Sequence, residues 1–145
     1  MTRRTVRVRF LALALSVLAL GAACARKGAG PVVAVGADAT WHERAAAAEV
    51  RRYLYVRTGR LPEIREVRSL ARVPAGAVVV VEKGGPLALA SAGQEGTAPL
   101  DALGPEDYRL MSLPRGSGRA LLVAGGGGPA VLYGAYRFAE TLGVR

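Results

Sequence analysis

The sequence predicts a two-layer α/β (α+β) domain: a mixed sheet of about five strands with two helices packed on one face, preceded by a cleaved signal peptide. Three observations carry that prediction. Short β-branched runs recur between glycines and prolines, the strongest being Ala77-Val-Val-Val-Val81, and such runs read as strands. Two stretches, residues 41–57 and 129–142, repeat apolar side chains at three- and four-residue steps between helix start and stop signals. Finally, 145 residues with one cysteine and one histidine suit one domain held by an apolar core. They can form neither an internal disulfide framework nor a Cys/His zinc site.

The N-terminus is an address rather than a part of that domain. Arg3, Arg4, Arg7 and Arg9 precede the apolar run Phe10–Leu20, which ends in the small residues Gly21-Ala-Ala23. A basic start, a short apolar middle and a small-residue cleavage site make a secretory signal, here residues 1–23. The run is too short for a membrane-spanning helix, which needs about 20 apolar residues. Leu20-Gly-Ala-Ala-Cys24 resembles a bacterial lipobox, with Gly21 standing where that motif carries leucine. The resemblance implies lipidation at Cys24 and a membrane held through the lipid anchor; ordinary cleavage near Ala23 or Ala25 is the alternative. Residues 24–30, Cys-Ala-Arg-Lys-Gly-Ala-Gly, then read as a flexible tether. The chain is expected to be exported, as a cell-envelope lipoprotein or a periplasmic or extracellular protein.

Removing residues 1–23 lowers the formal net charge from +9 to +5, because four arginines and no acids leave. The remaining arginines are interleaved with Glu49, Glu63 and Glu66 rather than clustered. Nucleic-acid binding requires a concentrated basic face, so a nucleic-acid partner is not expected.

The globular part begins at residue 31. Pro31-Val-Val-Ala-Val-Gly36 is a short strand pattern. Thr40 and Glu43 have the spacing of a capping box, in which the hydroxyl accepts from the amide three residues on and the glutamate reaches back. They open a helix over residues 41–57, with Ala46, Ala47, Val50 and Leu54 on one face, and Gly59 is its stop. Residues 61–67 predict an outer strand, since Pro62 suits an edge. The valine run ending at Val81 predicts a strand buried on both sides. Residues 82–105 are rich in Gly, Pro, Ala and Ser and read as loop or light insertion, with a short helix near Leu87–Ala92. Residues 108–113 and 120–124 form a predicted hairpin across Pro114–Gly118. Gly125–Gly128 then leads into Pro129 at a first helical position, and Gly143 ends the last helix.

Few of these residues suit catalysis. His42-Glu43 opens like a zinc-protease helix, but the residue four past His42 is Ala46, so the second ligand is missing. Gly125–Gly128 lacks the Gly-Lys-Ser/Thr that holds phosphate and magnesium, and reads as a tight crossover against a neighbouring backbone. No serine nucleophile elbow occurs. No catalytic, cofactor-binding or metal-ligating residue is assigned, and no cofactor is expected.

Two segments carry a family resemblance. Ala45-Ala-Ala-Ala-Glu-Val-Arg-Arg-Tyr-Leu54, followed by Thr58-Gly-Arg-Leu-Pro62, is similar to a helix-and-strand signature. Gly104-Pro-Glu-Asp-Tyr-Arg-Leu110, Ala120–Gly125 and Ala130-Val-Leu-Tyr-Gly-Ala-Tyr-Arg-Phe-Ala-Glu-Thr-Leu-Gly-Val-Arg145 extend it in order to the C-terminus. Together they resemble the N-terminal domain of α-glucuronidase-type glycoside hydrolases (family 67), the small α/β domain shared with β-hexosaminidases. The resemblance covers nearly all of residues 31–145. It implies a catalytic (β/α)₈ barrel as partner, joined where Gly143-Val-Arg145 ends this sequence, and a polysaccharide such as xylan as substrate. None of the family's catalytic carboxylates lies in this stretch.

The expected function is therefore a non-catalytic N-terminal accessory domain of an exported glucuronidase-like hydrolase, here without its barrel. The alternative is a free-standing lipoprotein module that binds a glycan or a partner protein. Trp41, Tyr133, Tyr136 and Phe138 are the candidate barrel-facing or glycan contacts, with Tyr55 a further aromatic for sugar stacking.

Overall fold

Four parallel strands and one antiparallel edge strand make a single sheet. The computed structural model describes residues 30–92 and 100–144. The predicted signal peptide, Cys24 and all of the tether except Gly30 lie outside those residues. The order along the chain is β1 (Val32–Gly36), α1 (Trp41–Thr58), β2 (Glu63–Val67), β3 (Val78–Glu82), α2 (Pro86–Ala92), β4 (Tyr108–Arg115), β5 (Gly118–Gly125) and α3 (Gly128–Thr141). Short 3₁₀ turns stand at Leu70–Arg72 and Leu100–Ala102. Across the sheet the order is β2-β1-β3-β5-β4, with only β4 antiparallel to its neighbour.

Alternation along the valine-rich strands divides the core in two. Val33, Val35, Val78, Val80 and Val123 face α1 and α3, where Ala46, Ala47, Val50, Val131, Ala135 and Phe138 meet them. Val32, Ala34, Val79, Val81 and Leu122 face the other way. Strands buried on both sides carry no polar alternation, which is why β1 and β3 read as continuous apolar runs. The two long helices lie together on one face, as the sequence predicts. Alanine at positions 46 and 47 lets α1 approach the sheet closely, both being fully buried.

The opposite face is covered by the segments that the sequence presents as loop. Leu70 and Val73 come from the β2–β3 connection, and Leu87, Ala88, Leu100 and Leu103 from residues 82–105. Parallel crossovers keep one hand. The β1-to-β2 step moves one way across the sheet through α1, and the β2-to-β3 step returns past β1. A return step of the same hand must pass on the other face, which is where Leu70 and Val73 are buried.

Local chemistry explains the boundaries. The capping box at the start of α1 is complete: Thr40 Oγ1 accepts from the Glu43 amide at 3.3 Å, and Glu43 Oε2 accepts from the Thr40 amide at 2.7 Å. Gly59 closes the helix in the left-handed region, at φ 68°. Pro62 lies just ahead of β2 rather than within it, and pairing starts at Glu63. This edge is charged. Arg65 donates to both Glu63 carboxylate oxygens, at 3.1 and 2.7 Å, and that bond holds the Glu63 carboxyl below its usual range. Charge on an edge strand discourages pairing with another chain. The hairpin is tighter than its sequence suggests, because Arg115 already pairs with Gly118 and the turn is Gly116-Ser117, with Gly116 at φ 52°.

Candidate functional site at the carboxyl edge of the sheet

The carboxyl ends of β1 and β3 and the start of α1 converge at the point where the crossovers leave in opposite directions. In open α/β sheets this is where ligands gather. Gly36, Asp38, Thr40, Glu43, Glu82 and Lys83 line a hollow of about 170 Å³ there.

Glu43 is the anchor of this edge and is only 6% exposed. Its Oε2 closes the capping box, while Oε1 accepts from the Glu82 amide at 2.9 Å. One carboxylate thus ties the start of α1 to the end of β3. Thr40 Oγ1 in turn donates to Glu82 Oε2 at 3.0 Å. Lys83 Nζ donates to the carbonyls of Asp101 and Leu103, at 2.7 and 2.9 Å, and holds the 3₁₀ turn over this end of the sheet. Thr40, Glu43 and Glu82 therefore bond one another. A general acid or base needs a carboxyl free to exchange its proton with substrate, and Glu43 has both oxygens committed to backbone amides. Among the described residues no group of three or more His, Cys, Asp or Glu side chains converges as a metal site.

The glycine run beside this edge serves close packing. A Cβ on Gly125 would stand 2.3 Å from the Val131 nitrogen, and one on Gly126 would stand 1.9 Å from the Gly104 carbonyl oxygen. Gly128 receives the His42 ring, whose Nδ1 would lie 2.1 Å from an added Cβ. The loop is thus the tight crossover against a neighbouring backbone that its sequence suggests. His42 also stacks on Trp41, with ring centroids 3.8 Å apart and planes 30° apart.

The sequence-predicted aromatics separate into three places. Trp41 is at the carboxyl edge and is 67% exposed. Tyr133 and Tyr136 stand outward on α3, at 50% and 44% exposure, and Tyr55 stands outward on α1. Phe138 is buried at 6%, in the core between the helices and the sheet. It offers no surface to a glycan or a barrel. The reason is helical geometry: Phe138 falls one turn from Ala135 and two from Val131, on the sheet-facing stripe, whereas Tyr136 and Tyr133 lie off it.

A second hollow, of about 500 Å³, runs between the C-terminal halves of α1 and α3. Arg52, Tyr53, Val56, Tyr136 and Glu140 line it, along with Val144. Its polar rim is internally paired. Arg52 donates to the Tyr53 hydroxyl at 3.0 Å, a bond that raises the Arg52 pKa above its ordinary value, with Glu49 adding a smaller effect. Arg137 and Glu140 pair at 2.7 Å.

Sequence reasoning identified the Thr40–Glu43 box and missed three partnerships: Glu43 with Glu82, Lys83 with residues 101 and 103, and His42 with Gly128. Each joins segments far apart in the chain, and no local pattern announces it.

No protein-family model matches the chain, and no curated protein is similar to it. Among solved structures, the chain is similar to a GH138 enzyme targeting pectin rhamnogalacturonan II, at 13% identity and a TM-score of 0.48. The similarity covers 78% of this chain and 13% of that enzyme. The chain spans only a small part of that enzyme's length.

Proposed function

We propose that this is the non-catalytic N-terminal accessory domain of an exported glycoside hydrolase of glucuronidase type, seated on its catalytic (β/α)₈ barrel through the outer side of α1 and α3. The observation that carries this reading is the outward strip of Val56, Tyr133 and Tyr136. Both helices have already buried their sheet-facing stripes, so this strip does nothing for the domain's own core. A contiguous apolar strip beside a hollow marks a missing partner more often than isolated surface residues do. The family resemblance supports the reading independently, because its two segments include the residues of α1 and α3. With both Glu43 oxygens committed to backbone amides, the chemistry would belong to the barrel.

The test is sedimentation of residues 30–144 alone and with a catalytic (β/α)₈ barrel of glucuronidase type. The domain alone should self-associate, the barrel should capture it one to one, and Tyr136→Lys should abolish both. A clean monomer that ignores the barrel, or a stop codon followed by an unrelated gene, would overturn the reading in favour of a free-standing module.

A further inference from the structure

We propose that Trp41 and the rim of the carboxyl edge form a subsite for a neutral pyranose ring. Trp41 is the first residue of α1 and is not among the residues of the sheet core, yet its indole packs against His42. His42 covers one side of it at a centroid distance of 3.8 Å. His42 is itself seated on Gly128, where any side chain would collide with the imidazole. With one face backed and the side chain 67% exposed, the other face is presented to solvent. A flat aromatic surface fixed in this way loses little conformational entropy on binding. It matches the C–H face of a pyranose, whose polarised hydrogens meet the negative face of the ring.

The neighbouring groups decide which sugar. Thr40 directly precedes Trp41, and its hydroxyl is bonded to Glu82; Asp38 and Glu82 line the adjoining hollow. Carboxylates accept hydrogen bonds from sugar hydroxyls and repel a second carboxylate. Lys83 keeps its positive charge, but it is one ammonium, bonded to the Asp101 and Leu103 carbonyls, against the three carboxylates of Asp38, Glu43 and Glu82 that line the hollow. The rim therefore favours a neutral glycan over a uronate. This subsite is separate from the proposed barrel contact. At 1.5 Å per residue, about 22 Å of helix separates Trp41 from Val56.

Trp41 is the only tryptophan in the sequence, so its fluorescence reports the site directly. Titration of the full chain with neutral β-1,4-linked xylo- and gluco-oligosaccharides should give a saturable change in emission. Oligogalacturonides should bind about tenfold or more weakly. In gels containing a neutral polysaccharide, Trp41→Ala should lose retardation, Trp41→Phe should keep part of it, and Tyr55→Ala should match the parent. Circular dichroism checks that each variant is folded. Emission that stays unchanged to ~10 mM oligosaccharide, or equal retardation of the parent and Trp41→Ala, would overturn the subsite. Tighter binding of oligogalacturonide would overturn its neutral preference. Tyr136→Lys should leave this titration unaltered, so the subsite and the barrel contact fail separately.

Discussion

Glu43 does two jobs with one side chain, and only one of them is written locally. The Thr-x-x-Glu spacing announces the capping box. The second bond, from the Glu82 amide to Oε1, joins residues 39 positions apart and becomes visible only when β3 lies beside the start of α1. Removing this carboxylate strips two amides of their acceptor at a buried position. Glu43→Ala should therefore cost about 2–3 kcal/mol in urea unfolding. Glu43→Gln keeps one acceptor oxygen and should cost about half as much. Equal stability of the parent and Glu43→Ala would show that the clamp carries no weight. Gly134 illustrates the same division of information. Inside a helix glycine costs about 1 kcal/mol relative to alanine; the Tyr133-Gly134 pair of the family resemblance implies that the helix packs closely on the sheet there, but not against which residues. In the fold, a Cβ there would stand 3.0 Å from Val123 and 3.4 Å from Tyr108, so glycine lets α3 lie close against β4 and β5.

At the scale of elements, hydrophobic period and punctuation located the five strands and both long helices, because each signal is local. What they misjudged was the importance of residues 82–105. Glycine, proline and alanine made that stretch resemble loop, yet it buries Leu87, Ala88, Leu100 and Leu103 against the second face of the sheet. Four buried apolar residues scattered over a long segment leave no periodic trace. The β5–α3 crossover is more legible, since consecutive glycines point to a close approach, although not to what is approached. The neighbour is the Gly104–Pro105 backbone. Backbone cannot move aside as a side chain can, so Gly126→Ala should cost about 3 kcal/mol or more. Gly30→Ala meets open space and should leave the thermal midpoint unaltered. Similar midpoints for the two variants would refute the close-packing account.

At the scale of the molecule, the two ends of the sequence answer different demands. The first 23 residues carry four of the arginines ahead of a short apolar run, and we propose that export machinery reads them. We expect the mature chain to begin at a lipidated Cys24. Labelled palmitate should be incorporated by the parent and lost in Cys24→Ala, with export intact in both. Labelling that persists in Cys24→Ala, or that is absent from the parent, would refute the anchor.

The sequence by itself determined the architecture of this domain: strand and helix identity, the burial of β3 on both sides, the edge position of β2, and the caps at Thr40 and Gly59. These follow from period, branching and backbone preference, all of which act within a few residues. The tertiary structure alone decided which aromatics are surface and which are core. It buried Phe138 and left Tyr133, Tyr136 and Trp41 outward, because the packing of α3 on the sheet selects the stripe of Val131, Ala135 and Phe138 as its inner face. It also brought Glu43 to Glu82 and His42 to Gly128, since the parallel order β1-β3-β5 places the starts of both helices at one edge. Such contacts join distant segments, and local sequence patterns do not encode them.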